Sequence, residues 1–328
     1  MYVRSRTPPS STSLHQQSFA ILTTSGIGKA HLVGKSIKPT YYRPSPLRVV
    51  DGRLANSGTT SPHPLPASST SEEWVLVDST PASCVQIGLY HYFQSRGPID
   101  LVVSGPNYGR NSTAVFSLSS GTIGGAMEAA VCGVKSIALS YAFFDRNHDA
   151  AIIEGASQLS AKLIAHLYDN WDPNTHLYTV NVPLVKNVGD NKILWTNMLQ
   201  NQWQSASCFQ AIEVPPEIDD SPSDIEAQNR KAEENLGKKE LQSNLETGEG
   251  GSGAQSGAQS PGAASAQEHV RYTHKHFKWA PRFKDVYDSV EASEPGNDGW
   301  AVAQGFTSVT PLRANFMHVN GFEGEIKL

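Results

Sequence analysis

Acidic residues are absent from the first 50 positions, cysteine occurs only three times in 328 residues, and no run of about 20 apolar residues occurs anywhere. The three cysteines, Cys84, Cys132 and Cys208, are odd in number and widely spaced. They exclude a disulfide framework and a zinc cluster, and predict reduced thiols in a cytoplasmic protein. The nearest thing to a membrane span, residues 114–144, is broken by serines, glycines, Glu128 and Lys135, so no membrane partner is expected. An excess of positive charge is missing too. Lys and Arg number 26 against 31 Asp and Glu, a formal net charge of −5, which provides no global field for a nucleic-acid backbone. The acid-free N-terminus carries Arg4, Arg6, Lys29, Lys35, Lys38, Arg43 and Arg48, a composition shared with organelle transit peptides. Pro8 and Pro9 interrupt any amphipathic helix there, and residues 1–18 read instead as a disordered tail.

What remains is a chain with 38 % hydrophobic residues, long enough to bury a sizeable core. From Phe19 an apolar strand leads into a glycine-rich turn, and residues 51–73 read as a Ser/Pro/Gly loop or linker. "WVLV" at Trp74 predicts a buried strand. Pro81 opens a helix to Phe93, with Val85, Leu89 and Tyr92 at helical spacing. Then follow strand "IDLVVSG", loop "PNYGRNSTAVFSLSS", helix "GTIGGAMEAAVCG" and strand "VKSIALSYAF". A long helix with Ile152, Ala156, Leu159, Leu163 and Leu167 on one stripe precedes strand "HLYTVNVPL". Continuous apolar strands alternating with helices predict an α/β fold with a mostly parallel sheet covered on both faces.

Residues 214–268 have almost no large apolar side chain and many acids, glycines and serines, which predicts a disordered acidic, Gly/Ser-rich insertion. It divides the α/β domain, 19–213, from its C-terminal part, 269–328. There "GWAVAQGFTSVTPL" predicts a last strand or hairpin.

Chemistry is expected where parallel strands end. "IDLVVSG" places Ser104, Gly105 and Asn107 at that edge, and an asparagine amide offers either a neutral oxygen to a hard cation or an N–H to an anion. Further on, Ser119, Ser120, Gly121 and Thr122 open a helix. Hydroxyl caps, small residues and the positive end of the helix dipole make an anion site suited to phosphate. Taken singly, Ser120 also reads as an ordinary cap, Asn107 as a turn residue, Gly124 and Gly125 as packing glycines, and Glu128 as a solvated residue or capping partner. "NST" at Asn111 is a glycosylation sequon, expected to be unused in a reduced compartment. The run "RYTHKHFKWAPRFK" interleaves aromatics with cations, as base-stacking segments do, but reads better as a hairpin packing Phe277 and Trp279. His274 and His276 lack a third ligand, and His148 reads as a surface histidine.

The ordered combination "IDLVVSGPNYGRN", "SSGTIGGAMEAAVCGVKSIALS", "YTVNVPL" and "GFTSVTPL" resembles the SurE-like phosphatase/nucleotidase family. "DSTPASCVQIGL" resembles that family's Gly-Thr-Pro-Ala-Asp-Cys-Val segment, with Ser79 and Ser83 in place of Gly and Asp. "GKAHLVGKSI" with "SGPNYGRN" looks closest to fungal modules joined to a downstream tubulin-tyrosine-ligase-like domain, and Leu328 falls before such a domain would begin. The resemblance implies a three-layer α/β/α Rossmann-like sheet with a C-terminal hairpin extension that joins subunits in a homo-oligomer. It also implies a phosphatase, dependent on Mg or Mn, whose substrates are nucleoside monophosphates or similar small phosphomonoesters. Carried over, Asn107 and Ser25 match metal ligands, and Ser104, Gly105, Ser120, Gly121 and Thr122 match the phosphate site.

The family's Asp-Asp pair has no match before Ser25. The one Asp-Asp, Asp219-Asp220, lies in the insertion, and Asp51 follows the serine. The catalytic residues are therefore unassigned, and the chain is expected to be a truncated or degenerate copy with impaired activity, or a non-catalytic phosphate-binding or scaffold protein.

Overall fold

The computed structural model describes residues 2–5, 19–23, 36–45, 48–50, 53–55, 58–66, 68–94, 97–145, 149–204, 207–213 and 275–316, with Asn320 and Glu325. In chain order the early strands are β1 (Tyr2–Ser5), β2 (Phe19–Thr23), β3 (Thr40–Arg43), β4 (Arg48–Val50), β5 (Arg53–Ala55), β6 (Thr59–Ser61) and β7 (Trp74–Val77). Helix α1 (Pro81–Ile87), extended by a π-helical turn at Gly88–Tyr92, leads to β8 (Ile99–Tyr108). Next come α2 (Thr113–Ser119), α3 (Gly121–Val131), β9 (Lys135–Ala142), α4 (Ala150–Asp169), β10 (Leu177–Pro183) and β11 (Ile193–Trp195). The chain closes with β12 (Phe209–Glu213), β13 (Lys275–Trp279), α5 (Phe283–Glu291), α6 (Asp298–Ala303) and β14 (Thr307–Leu312).

Ten strands form one sheet in the order β11-β14-β10-β9-β8-β1-β2-β7-β3-β6. Strands β8, β9 and β10 run parallel, as do β2 and β7. Because β1 is antiparallel to both β2 and β8, all five point the same way. Both faces are covered, which is why consecutive residues of β8 (Leu101 to Ser104) and β9 (Ser136 to Ala142) are buried rather than every second one. Leu101, Val103, Ile137 and Leu139 pack with Ala156, Leu159, Leu163 and Leu167 of α4. Val102, between them in sequence, packs with Val85 and Leu89 and with Ala129 of α3. Ala138 does the same with Ile123 and Ala126. The expected α/β/α layering is therefore observed, with Ala156, Leu159, Leu163 and Leu167 of the α4 stripe buried and Ile152 half-buried.

Several boundaries differ from expectation. Tyr2–Ser5, assigned to a tail, is paired with β8 in the register Tyr2↔Val103, Val3↔Val102 and Arg4↔Leu101, because the open edge of an apolar strand takes up available backbone donors and acceptors. The rest of 1–18 lies outside the described residues. Within 51–73, Thr59–Ser61 pairs with β3 as the outermost strand, where polar β-branched residues are tolerated. β7 alternates half-buried and buried residues instead of being buried throughout. Residues 298–303 form helix α6, capped by Asn297 Oδ1 on the Trp300 amide at 2.8 Å, so the last strand starts only at Thr307.

The chain divides into two compact units, 1–203 with 284–328, and 204–283. The second holds the β12–β13 hairpin, in which Phe209 faces Trp279 and Ala211 faces Phe277. The segment read as an insertion, 214–268, lies outside the described residues.

Candidate functional site

Strand β8 does not stop at Gly105. Its pairing with β9 passes from Ser104↔Ala138 to Asn107↔Ser140, so one extra residue is accommodated as a bulge before Tyr108↔Tyr141. Pro106, with no N–H to donate, sits inside the irregularity. Gly105 has φ +123°, and a Cβ there would run into the Leu139 carbonyl oxygen, so only glycine fits. The bulge re-aims the half-buried Asn107, whose Nδ2 donates to the Gly109 carbonyl at 3.1 Å. That leaves Oδ1 as the acceptor end of the amide.

Beyond Gly109 the chain is held by buried polar contacts. The Asn111 amide donates to Asn181 Oδ1 on β10 at 2.8 Å, and Asn111 Nδ2 donates to Ser140 Oγ at 2.8 Å. Thr113 has φ 71°, unfavourable for a β-branched residue. Its amide donates to Asp298 Oδ2 at 2.9 Å, while Asp298 Oδ1 accepts from Leu199 at 2.9 Å and Gly299 at 2.8 Å. Asp298 is 0 % exposed. Burial raises its pKa above the usual carboxylate value, against the opposing pull of the Leu199, Thr113 and Gly299 amides. The Ala114 amide adds a bond to the Leu199 carbonyl at 2.8 Å, and the Val115 amide one to Asn201 Oδ1 at 3.1 Å.

This bracing positions the corner between α2 and α3. Ser120 is extended (φ −77°, ψ 124°) and ends one helix while capping the next, its Oγ accepting from the Ile123 amide at 3.2 Å. Gly121 and Thr122 are the first positions of α3, and the opening amides of a helix receive no carbonyl from within it. One turn on, a Cβ at Gly125 would sit 2.8 Å from Ser104 Oγ, so α3 rests directly on β8 three residues before Asn107. The corner and Asn107 therefore share one edge of the sheet.

The expected site residues divide accordingly. Gly105, Asn107, Ser120, Gly121 and Thr122 lie along that edge, whereas Ser104 is buried beneath Gly125. Glu128 faces α1, accepting from Gln86 Nε2 at 2.6 Å, and is buried rather than solvated. Ser25, Asp51, His148, Asp219, Asp220 and His274 lie outside the described residues. Asn111 of the sequon is 8 % exposed, and its Nδ2 is already engaged. Asp298, Asn181 and Arg110 were missed. The signal for Asn181 was an asparagine inside the apolar run "TVNVP", since a buried polar side chain in a strand requires a partner.

A divalent cation does not fit the described donors. Among the described residues no three His, Cys, Asp or Glu side chains are grouped so as to hold a metal ion. Asn107 and Ser104 offer only neutral oxygens, and a hard cation requires charged ones.

A family model described as "Survival protein SurE" matches residues 22–205. The chain is 33 % identical over 328 residues to a Saccharomyces cerevisiae protein named "Probable tubulin--tyrosine ligase PBY1", covering 93 % of this chain and 37 % of that one. It is 41 % identical over 128 residues to a protein named 5′-nucleotidase SurE from Ruegeria pomeroyi, covering 38 % of this chain and 48 % of the relative. A Geobacter metallireducens protein of the same name is 37 % identical over 121 residues, covering 37 % of this chain and 46 % of the relative. The chain thus spans between about a third and a half of these relatives. The solved structure of the SurE protein from Aquifex aeolicus superposes with a TM-score of 0.50 at 20 % identity, over 90 % of this chain and 82 % of that one, which is a likeness of fold.

Proposed function

Because this chain belongs to the SurE family, we propose that the carboxyl edge of its sheet binds the phosphate of a small phosphomonoester, with nucleoside monophosphates as the substrate class. The observation that carries the reading is the α2–α3 corner. Ser120 caps the helix, Gly121 and Thr122 open it at its positive end, and Gly125 sets α3 against Ser104 of β8, three positions before Asn107. In this reading Gly121, Thr122 and the Ser120 backbone hold the phosphate, Gly105 shapes the bulge, and Asn107 reaches the ester. Relatives named 5′-nucleotidase support the substrate class.

Hydrolysis is the more demanding half of the proposal. Among the described residues no three His, Cys, Asp or Glu side chains are grouped to hold a metal ion, so turnover by a metal-bound water would need carboxylates from outside them. A second reading is phosphate binding without turnover. Phosphate release from a nucleoside 5′-monophosphate, measured with manganese or magnesium and again with chelator, separates the two. Metal-dependent release that Asn107→Ala abolishes supports a hydrolase. No release from folded protein that still binds the nucleotide supports the binding role.

Two further features complete the reading. The β12–β13 hairpin exposes Phe209, Phe277 and Trp279, which supports self-association through that unit. The three thiols are free, in keeping with a reducing cytoplasm, and among the described residues no helix is long and apolar enough to cross a membrane.

A further inference from the structure

Just past the carboxyl ends of β8 and β9, the Arg110 guanidinium carbon lies 5.4 Å from the ring centroid of Phe144 and 5.4 Å from that of Tyr287. Arg110 Nη2 donates to the Phe143 carbonyl at 3.1 Å, which anchors the guanidinium. Behind it, Tyr108 stacks on Phe143 with centroids 4.7 Å apart and planes inclined by 19°. Phe144 and Tyr287 are nevertheless 51 % and 44 % exposed. A guanidinium carries five donors in a rigid fork, and one of the five is bound to Phe143. Arg110 lies three positions after Asn107, at most about 10 Å of chain. One ribose bridges such a gap.

We propose that Arg110, Phe144 and Tyr287 form the wall of the site that receives the base of a nucleotide. The base stacks on the exposed aromatic faces while an edge N–H of Arg110 meets one of its acceptor atoms. This rests on the phosphate reading above and adds to it the part of the substrate that distinguishes a nucleotide from other phosphomonoesters. Of the three elements involved, α5 is the farthest along the chain, and its Tyr287 reaches the wall through the Arg110 contact.

The test is calorimetric titration of the full chain with adenosine 5′-monophosphate, ribose 5-phosphate and adenosine, repeated with Tyr287→Ala and Arg110→Ala after circular dichroism has confirmed that both fold. The proposal expects the nucleotide to bind about tenfold tighter than ribose 5-phosphate, and expects either variant to erase that preference while ribose 5-phosphate binding stays unchanged. Equal affinity for the two phosphates, or a preference that survives both substitutions, overturns it. If neither phosphate binds, the phosphate reading fails by itself and adenosine decides the wall. Adenosine binding that Tyr287→Ala abolishes sustains the wall, and no adenosine binding overturns it.

Discussion

The Thr113 amide donates to the Asp298 carboxylate across 2.9 Å, although 185 positions separate the two residues in sequence. The contact holds a β-branched residue at φ 71°, a conformation that costs about 1–3 kcal/mol and persists only where its surroundings enforce it. Asp298 supplies that enforcement by receiving three backbone amides at once. The start of α6 thereby fixes the start of α2, and through it the Ser120 corner.

Asp298→Ala should therefore unfold the chain more easily, by about 2–4 kcal/mol, because it orphans buried amides while leaving Thr113 strained. Urea titration followed by circular dichroism measures this. A loss below about 1 kcal/mol would mean that the corner is braced by other contacts.

The same carboxyl gives a pH signature. Its pKa is raised by burial, so the folded chain keeps a proton that the unfolded chain releases, and this group's contribution to stability falls as pH rises from the unfolded to the folded value. Asp298→Asn removes that contribution. The stability advantage of the native chain over Asp298→Asn should be largest in acid and shrink toward neutrality, as read from urea midpoints across that range.

Gly105→Ala should cost about 2–4 kcal/mol, since the residue has φ +123° and its added methyl meets the Leu139 carbonyl. Losing the bulge also re-aims Asn107, so any phosphate binding should weaken along with the melting temperature. Gly133→Ala is a useful control. It too has positive φ, but nothing lies within 4 Å of its Cβ position, so it should lower stability without touching phosphate binding.

Expressed through a secretory route, the chain should emerge with Asn111 unmodified. Its Nδ2 is bound to Ser140 Oγ and its backbone to Asn181, so a chain that acquires a glycan there before folding cannot form these contacts and only the unmodified chain is secreted folded. Intact-mass spectrometry reports this directly.

Where periodicity and burial agree, the elements were legible in the sequence. The α4 stripe of Ala156, Leu159, Leu163 and Leu167 is buried as its spacing requires, and the apolar runs of β8, β9 and β10 lie between two helical layers. The Ser120 cap was legible for a local reason, because Ser-Gly-Thr at a helix start carries its own capping chemistry. The bracing was not. Asp298 and Thr113 meet only after the chain has folded, and no local pattern in "GNDGW" distinguishes a buried carboxylate from an exposed helix cap. The extension of β8 through Tyr108 was hidden by glycine and proline, which mark a loop in most settings and here mark a bulge within a continuing strand.

The central claim is that the edge carrying Asn107 and the Ser120–Thr122 corner binds a phosphomonoester. Phosphorus NMR of a nucleoside 5′-monophosphate titrated with folded protein tests it most directly, alongside Thr122→Pro, which keeps proline within the first helical turn but removes one of the two amides the reading assigns to phosphate. The account predicts a phosphate resonance that shifts or broadens with the native chain and does so much less with the variant. A resonance that stays sharp and unmoved by folded native protein would contradict it.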